Sequence, residues 1–390
     1  MTAARDYDAI VLGLGGIGSG AAYWLAKGGA RVLGIEQFAL GHARGESHDH
    51  SRIIRLSYHA PNYVQLAKRA YESWAALEGD AGEQLVFKTG GLDLGPPDGA
   101  IAIQGYADAM AACGVAFETL DAAEIRRRYP AFAVNDSVQG LFQPDGGIVA
   151  AERATAAHQA AARAHGATLI SDTRVTHIAC ENGEVTVEAG GTVYRARSLA
   201  VAAGPWTNGA LGHLGTHLPL EVTKEQAMYF RPHDVSLFAL GRFPVWIWMD
   251  DPSFYGFPVF GEDGAVKVTQ DAGGVPVDPD TRGFDPDPAI TARVRQFLLR
   301  RLPALNGPEH LVKTCLYTLT PDRDFVIDTL PDHPNVQIAI GAGHAFKFAS
   351  VIGRILSERA LTGSTPSDIS AFTLGRPILQ MSEPPKTYMV

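Results

Sequence analysis

Residues Asp8 to Glu36 read DAIVLGLGGIGSGAAYWLAKGGARVLGIE, and this stretch decides the fold. The apolar run Asp8-Ala9-Ile10-Val11-Leu12 enters the turn Gly13-Leu14-Gly15-Gly16-Ile17-Gly18, and Ala21-Ala22-Tyr23-Trp24-Leu25-Ala26 leaves it. A second apolar run, Arg31-Val32-Leu33-Gly34-Ile35, ends in Glu36. Strand, tight turn, helix, strand and acid in that order make a dinucleotide-binding βαβ unit. Gly13 permits the turn, Gly15 lets the backbone approach a pyrophosphate, and Gly18 lets helix and strand pack closely. The free N–H groups of the helix start face the phosphates. Glu36 can accept both hydroxyls of an adenosine ribose and repels a 2′-phosphate, so NAD or FAD fits better than NADP.

The whole chain sets the bounds around that unit. Its 390 residues suffice for two domains, each with its own core. A hydrophobic fraction of 46% with 19% charged residues is that of an ordinary soluble protein. The formal net charge is −9 and the basic residues are scattered, which argues against a nucleic-acid partner. No apolar run has the roughly 18 residues of a membrane span, and no apolar signal core precedes the first strand. The tail Lys386-Thr387-Tyr388-Met389-Val390 matches no standard targeting tripeptide. Cys113, Cys180 and Cys315 are too few and too far apart for a disulfide framework. A cytoplasmic protein is expected.

Beyond Glu36 the texture alternates. A polar stretch, Gly41 to Arg52, precedes helical periodicity from Tyr63 to Leu77. Strand-like Phe87 to Leu94 and a helix near Gly99 to Cys113 open a different segment, and Ile148 to His165 reads as an alanine-rich helix. Short strands are expected over Thr168 to Val175, Glu184 to Glu188 and Thr192 to Arg195. Ser198 to Gly204 and Val336 to Gly343 have the look of buried parallel strands. Leu218 to Leu319 is rich in β-branched and aromatic residues, and Phe346 to Leu361 reads as a closing helix. The pattern predicts an α/β chain (α+β overall) whose nucleotide domain is discontinuous, over 1–85, 146–218 and 320–390. A sheet-rich domain of 86–145 and 219–319 interrupts it. Interleaving of this kind is commoner in flavoproteins than in NAD dehydrogenases.

Three clusters carry chemistry. In Ser47-His48-Asp49-His50-Ser51-Arg52-Ile53-Ile54-Arg55, two arginines stand three apart after a polar loop. By spacing alone this is a solvated charged loop, and no ligand set stands near His48-Asp49-His50 to complete a metal site. The second cluster is Lys313-Thr314-Cys315-Leu316-Tyr317-Thr318, where a lone cysteine in a strand is ordinarily an inert hydrophobe. The third is Gly341-Ala342-Gly343-His344-Ala345-Phe346-Lys347-Phe348, which feeds glycines into a helix start. That end suits an anion, and a cation such as Lys347 there opposes the helix dipole.

Together the clusters resemble the monomeric sarcosine oxidase family, which includes N-methyltryptophan oxidase, over nearly the whole chain. The likeness rests on the N-terminal βαβ unit, Arg52-Ile53-Ile54-Arg55, Lys88-Thr89-Gly90-Gly91-Leu92 and Tyr255-Gly256-Phe257-Pro258. It continues through Cys315-Leu316-Tyr317-Thr318, Asp324-Phe325-Val326-Ile327-Asp328 and Gly343 to Phe348. The resemblance implies a FAD-binding Rossmann-like domain interleaved with a β-sheet-rich substrate domain. It also implies FAD held covalently, since Cys315 matches the cysteine joined through sulfur to the flavin 8α-methyl. His48 and Arg52 match basic residues beside the flavin ring, and Arg55 and Lys347 match the pair that clamps a substrate carboxylate. An Arg fork and a Lys point charge suit that anion. Lys267 matches the lysine that activates oxygen, Tyr255 and Tyr317 match pocket aromatics, and His344 joins them in the expected catalytic group. Val175 matches an adenine contact. Gly13, Gly15, Ile17, Gly18 and Glu36 are the expected anchors of the adenosine diphosphate. Ser47, Ile53, Gly204, Trp206, Gly343 and Phe346, with His344 and Lys347, complete the expected cofactor set, and no metal is expected.

The implied reaction is oxidation of a secondary amino acid, sarcosine or another N-methyl amino acid, to an imine while O2 becomes H2O2. The imine then hydrolyses to amine and aldehyde. No general base is required, because the amine need only react in its neutral form. The chain also departs from the family. Asp271 stands where a histidine is usual four residues after the oxygen-site lysine, and Ser47 to Arg52 replaces the usual His-His-Gly-Asp-Thr-Arg. Val245-Trp246-Ile247-Trp248-Met249 is unusually bulky, and its tryptophans either shape a pocket for a larger or cyclic amine or pack in the core. Proline, pipecolate or N-methyltryptophan are therefore alternative substrates, and a dehydrogenase with another electron acceptor is an alternative activity. The family likeness favours a monomer.

Overall fold

The structure, a computed structural model, describes residues 5–387; Tyr388, Met389 and Val390 of the tail lie outside them. Strand Arg5–Leu12 is the centre of an eight-stranded sheet. It pairs in parallel with Val32–Ile35 on one side and with Thr192–Val201 on the other. Thr168–Ile170 extends one flank and His333–Ile340 the other, both in parallel. Both faces of the central strand are covered: Val11 joins the helix-side core, whereas Ile10 joins the opposite core with Leu33, Leu199 and Ile338. That explains its unbroken apolar run. Helices Gly16–Lys27, Pro61–Ala81, Ala151–Ala164 and Ala349–Thr362 cover the helix side.

Two glycines make the first turn possible. Gly13 has φ +86°, and a Cβ there would lie 2.5 Å from the Ala202 carbonyl oxygen. A Cβ on Gly18 would lie 1.8 Å from the carbonyl oxygen of Gly13, so helix and strand can approach only without a side chain.

A nine-stranded sheet forms the second layer, and its alternation places the chemistry. On one face Leu92, Leu94, Trp246, Trp248, Phe254, Val266 and Val268 pack with Val294, Phe297 and Leu298 of helix Pro288–Arg301. The residues between them, Asp93, Ile247, Tyr255 and Lys267, therefore point the other way. Glu309–Leu319 pairs with Glu221–Phe230 in a register that sets Cys315 opposite Glu225 and Tyr317 opposite Thr223. A small sheet of Ser51–Ile54, Gly147–Ala150 and Val86–Lys88 carries the Arg52 segment.

Several sequence expectations change. Gly147–Ala150 is a strand rather than the start of a helix, because it pairs on both sides, and the helix begins at Ala151. Thr168–Ile170 is shorter than expected, and the next strand, Val175–Glu181, carried no clear apolar pattern because its side chains are largely solvated. Thr192–Val201 is one strand rather than two. Phe87 to Leu94 divides into strands of two different sheets at Gly90 (φ +77°). Phe346–Phe348 is a 3-10 turn, with the α-helix starting at Ala349.

Both tryptophans belong to the core. Trp246 is fully buried and stacks on Phe297 at 5.7 Å between ring centroids, while Arg301 lies over the Trp248 ring. Trp246→Ala should leave a cavity under helix Pro288–Arg301 and destabilise the protein by about 3–5 kcal/mol. A urea midpoint equal to that of the parent would contradict this packing.

Candidate functional site

A cleft of about 750 Å³ opens beyond the carboxyl ends of the parallel strands. Gly13, Gly15 and Ile17 form its floor, and Glu36, Val175, Gly204 and Trp206 line its sides, with Ser47 and His48 at one end. Gly18 lies beneath the turn and does not line it. The Leu14 N–H donates to Glu36 at 2.9 Å, the Phe38 N–H at 3.1 Å, and His42 stands 3.4 Å away. Burial pushes the Glu36 carboxyl up, but His42 and these amides outweigh it and hold it ionised below its ordinary value. The Gly16 N–H at the helix start donates to Ser47 Oγ at 2.8 Å. Among the described residues the buried atoms Glu46 Oε1 and His48 Nε2 make no hydrogen bond of normal geometry to protein. A long cleft with a glycine floor, an acid at one end and unmatched polar atoms at the other fits a dinucleotide.

A second cavity, of about 130 Å³, continues from the first past Ile17 and Ser47. It gathers Arg52, Ile53, Arg55, Tyr255 and Tyr317 with Gly343, His344, Phe346 and Lys347. Arg55 is 5% exposed and bonds Asp93 at 3.0 Å; Ser57 holds the other Asp93 oxygen. The Arg55 guanidinium also lies over the Tyr58 ring. Arg52 donates to the carbonyls of Glu46, His48 and Ser51, tying the polar loop into one piece. The hydroxyls of Tyr255 and Tyr317 are 3.2 Å apart. Burial, then Lys347 and Arg323, keep the His344 imidazole neutral, and its Nε2 meets the Arg323 carbonyl at 2.8 Å. Trp74 Nε1 donates to the Lys347 carbonyl at 2.7 Å and fixes that residue.

Lys267 and Cys315 line neither large cavity. They border a void of about 20 Å³ between the two, shared with His48, Arg52, Tyr255 and Tyr317. One water is about that size. Lys267 is 3% exposed and pairs with Asp49 at 2.5 Å. Burial pushes the Cys315 thiol up to about 11 against the pull of Arg52 and lowers His48 to about 4 with help from Arg52. His50 meets Glu262 at 2.8 Å. No cluster of three or more His, Cys, Asp or Glu among the described residues could hold a metal.

Sequence reasoning missed several residues of this site. Asp271, which the sequence marks only as a departure from the family and not as a site residue, lines the second cavity, paired at 3.1 Å with fully buried Arg323. Arg323 sits in the left-handed region (φ +59°) beside a motif that carries no hint of it. Glu46 faces both cavities, and burial raises it to about 7. Asp93 did have a signal, since it is an acid inside the apolar strand Gly91–Gly95. Among the described residues no helix is long and apolar enough to cross a membrane.

Comparison with known proteins agrees with this geometry. The DAO family, described as FAD dependent oxidoreductase, matches residues 8–359. Monomeric sarcosine oxidase of Bacillus sp. (strain NS-129) is 34% identical over 379 residues, 96% of this chain and 98% of that one. N-methyl-L-tryptophan oxidase of Salmonella newport is 32% identical, covering 95% of this chain and 99% of its own. The solved structure of NikD, an unusual amino acid oxidase essential for nikkomycin biosynthesis, superposes with a TM-score of 0.85. It is 29% identical and covers 97% of this chain and 100% of its own.

Lys347 gives a testable pH dependence. Burial, then Arg55, push its ammonium down to about 7, with Asp271 opposing. The unfolded chain therefore binds more protons between about 7 and the ordinary lysine value. Stability rises with pH across that window, and the deficit is complete below it. Lys347→Met should make the ligand-free protein more stable at pH 7 by about 1–3 kcal/mol, the gain fading towards pH 10. A variant that melts lower than the parent at pH 7 would refute the assignment.

Proposed function

Because this chain belongs to the DAO family of FAD-dependent oxidoreductases, we propose that it oxidises a small secondary amino acid at the expense of O2. The substrate class is sarcosine or another N-methyl amino acid, and the products are H2O2 and an imine that hydrolyses to amine and aldehyde. The observation that carries this reading is the convergence of Arg55 and Lys347 on one cavity beside the dinucleotide cleft. Of the four cations that line this cavity, Arg52 is tied to backbone carbonyls and Arg323 to Asp271, so Arg55 and Lys347, beside the tyrosines and Ile247, are the pair that suits a carboxylate on a small molecule.

FAD would be held by Gly13, Gly15 and Glu36 at its adenosine end and by Ser47, His48 and Arg52 near its ring, with Cys315 the covalent tether. When bound, it supplies the two-electron acceptor of the reaction. Arg55 keeps its charge at every working pH, since Asp93 and the Tyr58 and Tyr106 rings favour the cation over the cost of burial. Lys347, poised near neutrality, adds a second charge that a bound carboxylate would reinforce. Tyr255, Tyr317 and His344 close the cavity and keep water away from the amine. The strands of the two main sheets divide along a cofactor unit of 1–85, 146–218 and 320–390 and a substrate unit of 86–145 and 219–319, with the cofactor unit lending Arg55 and Lys347 to the substrate cavity and the substrate unit lending Cys315 to the cofactor. Trp246 and Trp248 lie on the far side of their sheet from the cavity, which favours a small substrate over an indole-bearing one. The relatives' names favour a monomer.

Peroxide assays and anaerobic spectra with sarcosine, proline, pipecolate, N-methyltryptophan and amines lacking a carboxylate test the reading. Sarcosine or another small N-methyl amino acid should bleach the flavin fastest. Arg55→Met should raise KM by at least about 30-fold, the lower end for truncating a buried charge pair. Undiminished turnover of carboxylate-free amines by that variant would remove the clamp. In acid, flavin colour should stay with the precipitated parent chain and leave that of Cys315→Ala.

A further inference from the structure

Lys267, 3% exposed, donates to the Ser51 carbonyl at 3.1 Å and ends a line of closely spaced titratable groups. Asp49 Oδ2 lies 2.5 Å from the Lys267 ammonium, and Asp49 Oδ1 lies 3.1 Å from that of Lys313. Lys313 Nζ is 3.2 Å from His50 Nε2, which meets Glu262 at 2.8 Å. Glu262 also stands 3.4 Å from His310, whose side chain is 27% exposed. The line thus runs from the water-sized void beside Cys315 to the surface.

Asp49 is the unexpected member. It is 2% exposed and has φ +84°, a conformation that favours glycine and strains an aspartate. Its carboxylate is gripped by both lysines and by the Tyr229 hydroxyl at 2.7 Å. A strained backbone that delivers a carboxylate between two ammonium groups does more than neutralise one of them.

We propose that Lys267, Asp49 and Lys313 form a proton relay from the Glu262–His310 surface to oxygen reduced in the void beside Lys267. This rests on the oxidase reading given above. Conversion of O2 to H2O2 takes two electrons and two protons. Both electrons and one proton come from the reduced cofactor, and the second proton leaves Lys267 Nζ. Once Lys267 has given up its proton, Asp49 takes one from Lys313 at Oδ1 and becomes a neutral carboxyl. It then turns, passes that proton to the Lys267 amine and returns to the carboxylate. Lys313, whose side chain is 25% exposed, is recharged from solvent, directly or through His50 and Glu262. Burial, then Arg52 against the pull of Asp49, lower the Lys267 ammonium and ease this release, while Lys267 and Arg52 keep Asp49 ionised between transfers. Charge alone and proton transfer predict different behaviour at Lys313, because arginine keeps the charge and does not give up its proton.

The test photoreduces the holoenzyme without air and mixes it with oxygenated buffer. The parent should reoxidise with a solvent deuterium isotope effect. Lys313→Met and Lys313→Arg should both slow it by roughly a hundredfold, as for loss of a general acid, and ethylammonium should partly restore the methionine variant. Wild-type speed in Lys313→Arg, or in both variants, would overturn the relay and leave the oxidase reading standing. A parent that ignores O2 would overturn both. Independently of turnover, 15N NMR of the oxidised holoenzyme should show the Lys267 ammonium protons exchanging with water at least about tenfold more slowly in Lys313→Met. An unchanged exchange rate also overturns the relay. Asp49→Asn, which tolerates the same backbone conformation, should reproduce both effects.

Discussion

The cost of taking cations out of water governs this site. Arg52, Arg55, Lys267, Arg323 and Lys347 crowd two adjoining cavities, and an isolated buried charge costs several kcal/mol. Each is met differently. Arg52 is held by three backbone carbonyls, Arg55 by Asp93, Lys267 by Asp49 and Arg323 by Asp271. Among the described residues Lys347 has no carboxylate within ion-pair distance, and burial, then Arg55, push its ammonium down to about 7. The acids that meet these charges occupy the sheet face and loops opposite the hydrophobic core, so the electrostatic design and the strand alternation are one arrangement.

That alternation also explains how a sheet can be wall and machine together. On strands Val245–Trp248, Phe254–Gly256 and Val266–Gln270, every second side chain anchors the layer against helix Pro288–Arg301. The intervening residues are free to carry chemistry at positions fixed by backbone hydrogen bonds. Tyr255 lies opposite Ile247, and Lys267 opposite Tyr229, by register alone.

The first βαβ unit was legible because each of its parts has a local cause: glycines where a Cβ would collide, and a terminal acid that bonds back to the turn. Arg55, Lys267 and Cys315 were singled out only through family likeness, since a lone arginine or cysteine has no periodic signature, whereas Lys347 also stood out as a cation at a helix start. The partners that make those residues tolerable were mostly invisible. Asp93, Asp49 and Arg323 meet their counter-charges across separations of 38, 218 and 52 positions, which no local pattern reports (93 − 55, 267 − 49, 323 − 271). The Trp246 and Trp248 question was likewise closed by the third dimension, through the helix that packs on them.

Arg323 has one consequence beyond chemistry. Its guanidinium grips Asp271 and its carbonyl holds His344, so two sides of the second cavity share a single left-handed residue as their hinge pin. That polar side behaves as a fixed frame, because moving either partner disturbs the other. Ile247 has no such tie: it is a side chain on a strand whose backbone is already locked. Attempts to reshape this pocket for bulkier molecules therefore have one pliable wall to work on, the aliphatic one, and a charged wall that resists redesign as a unit.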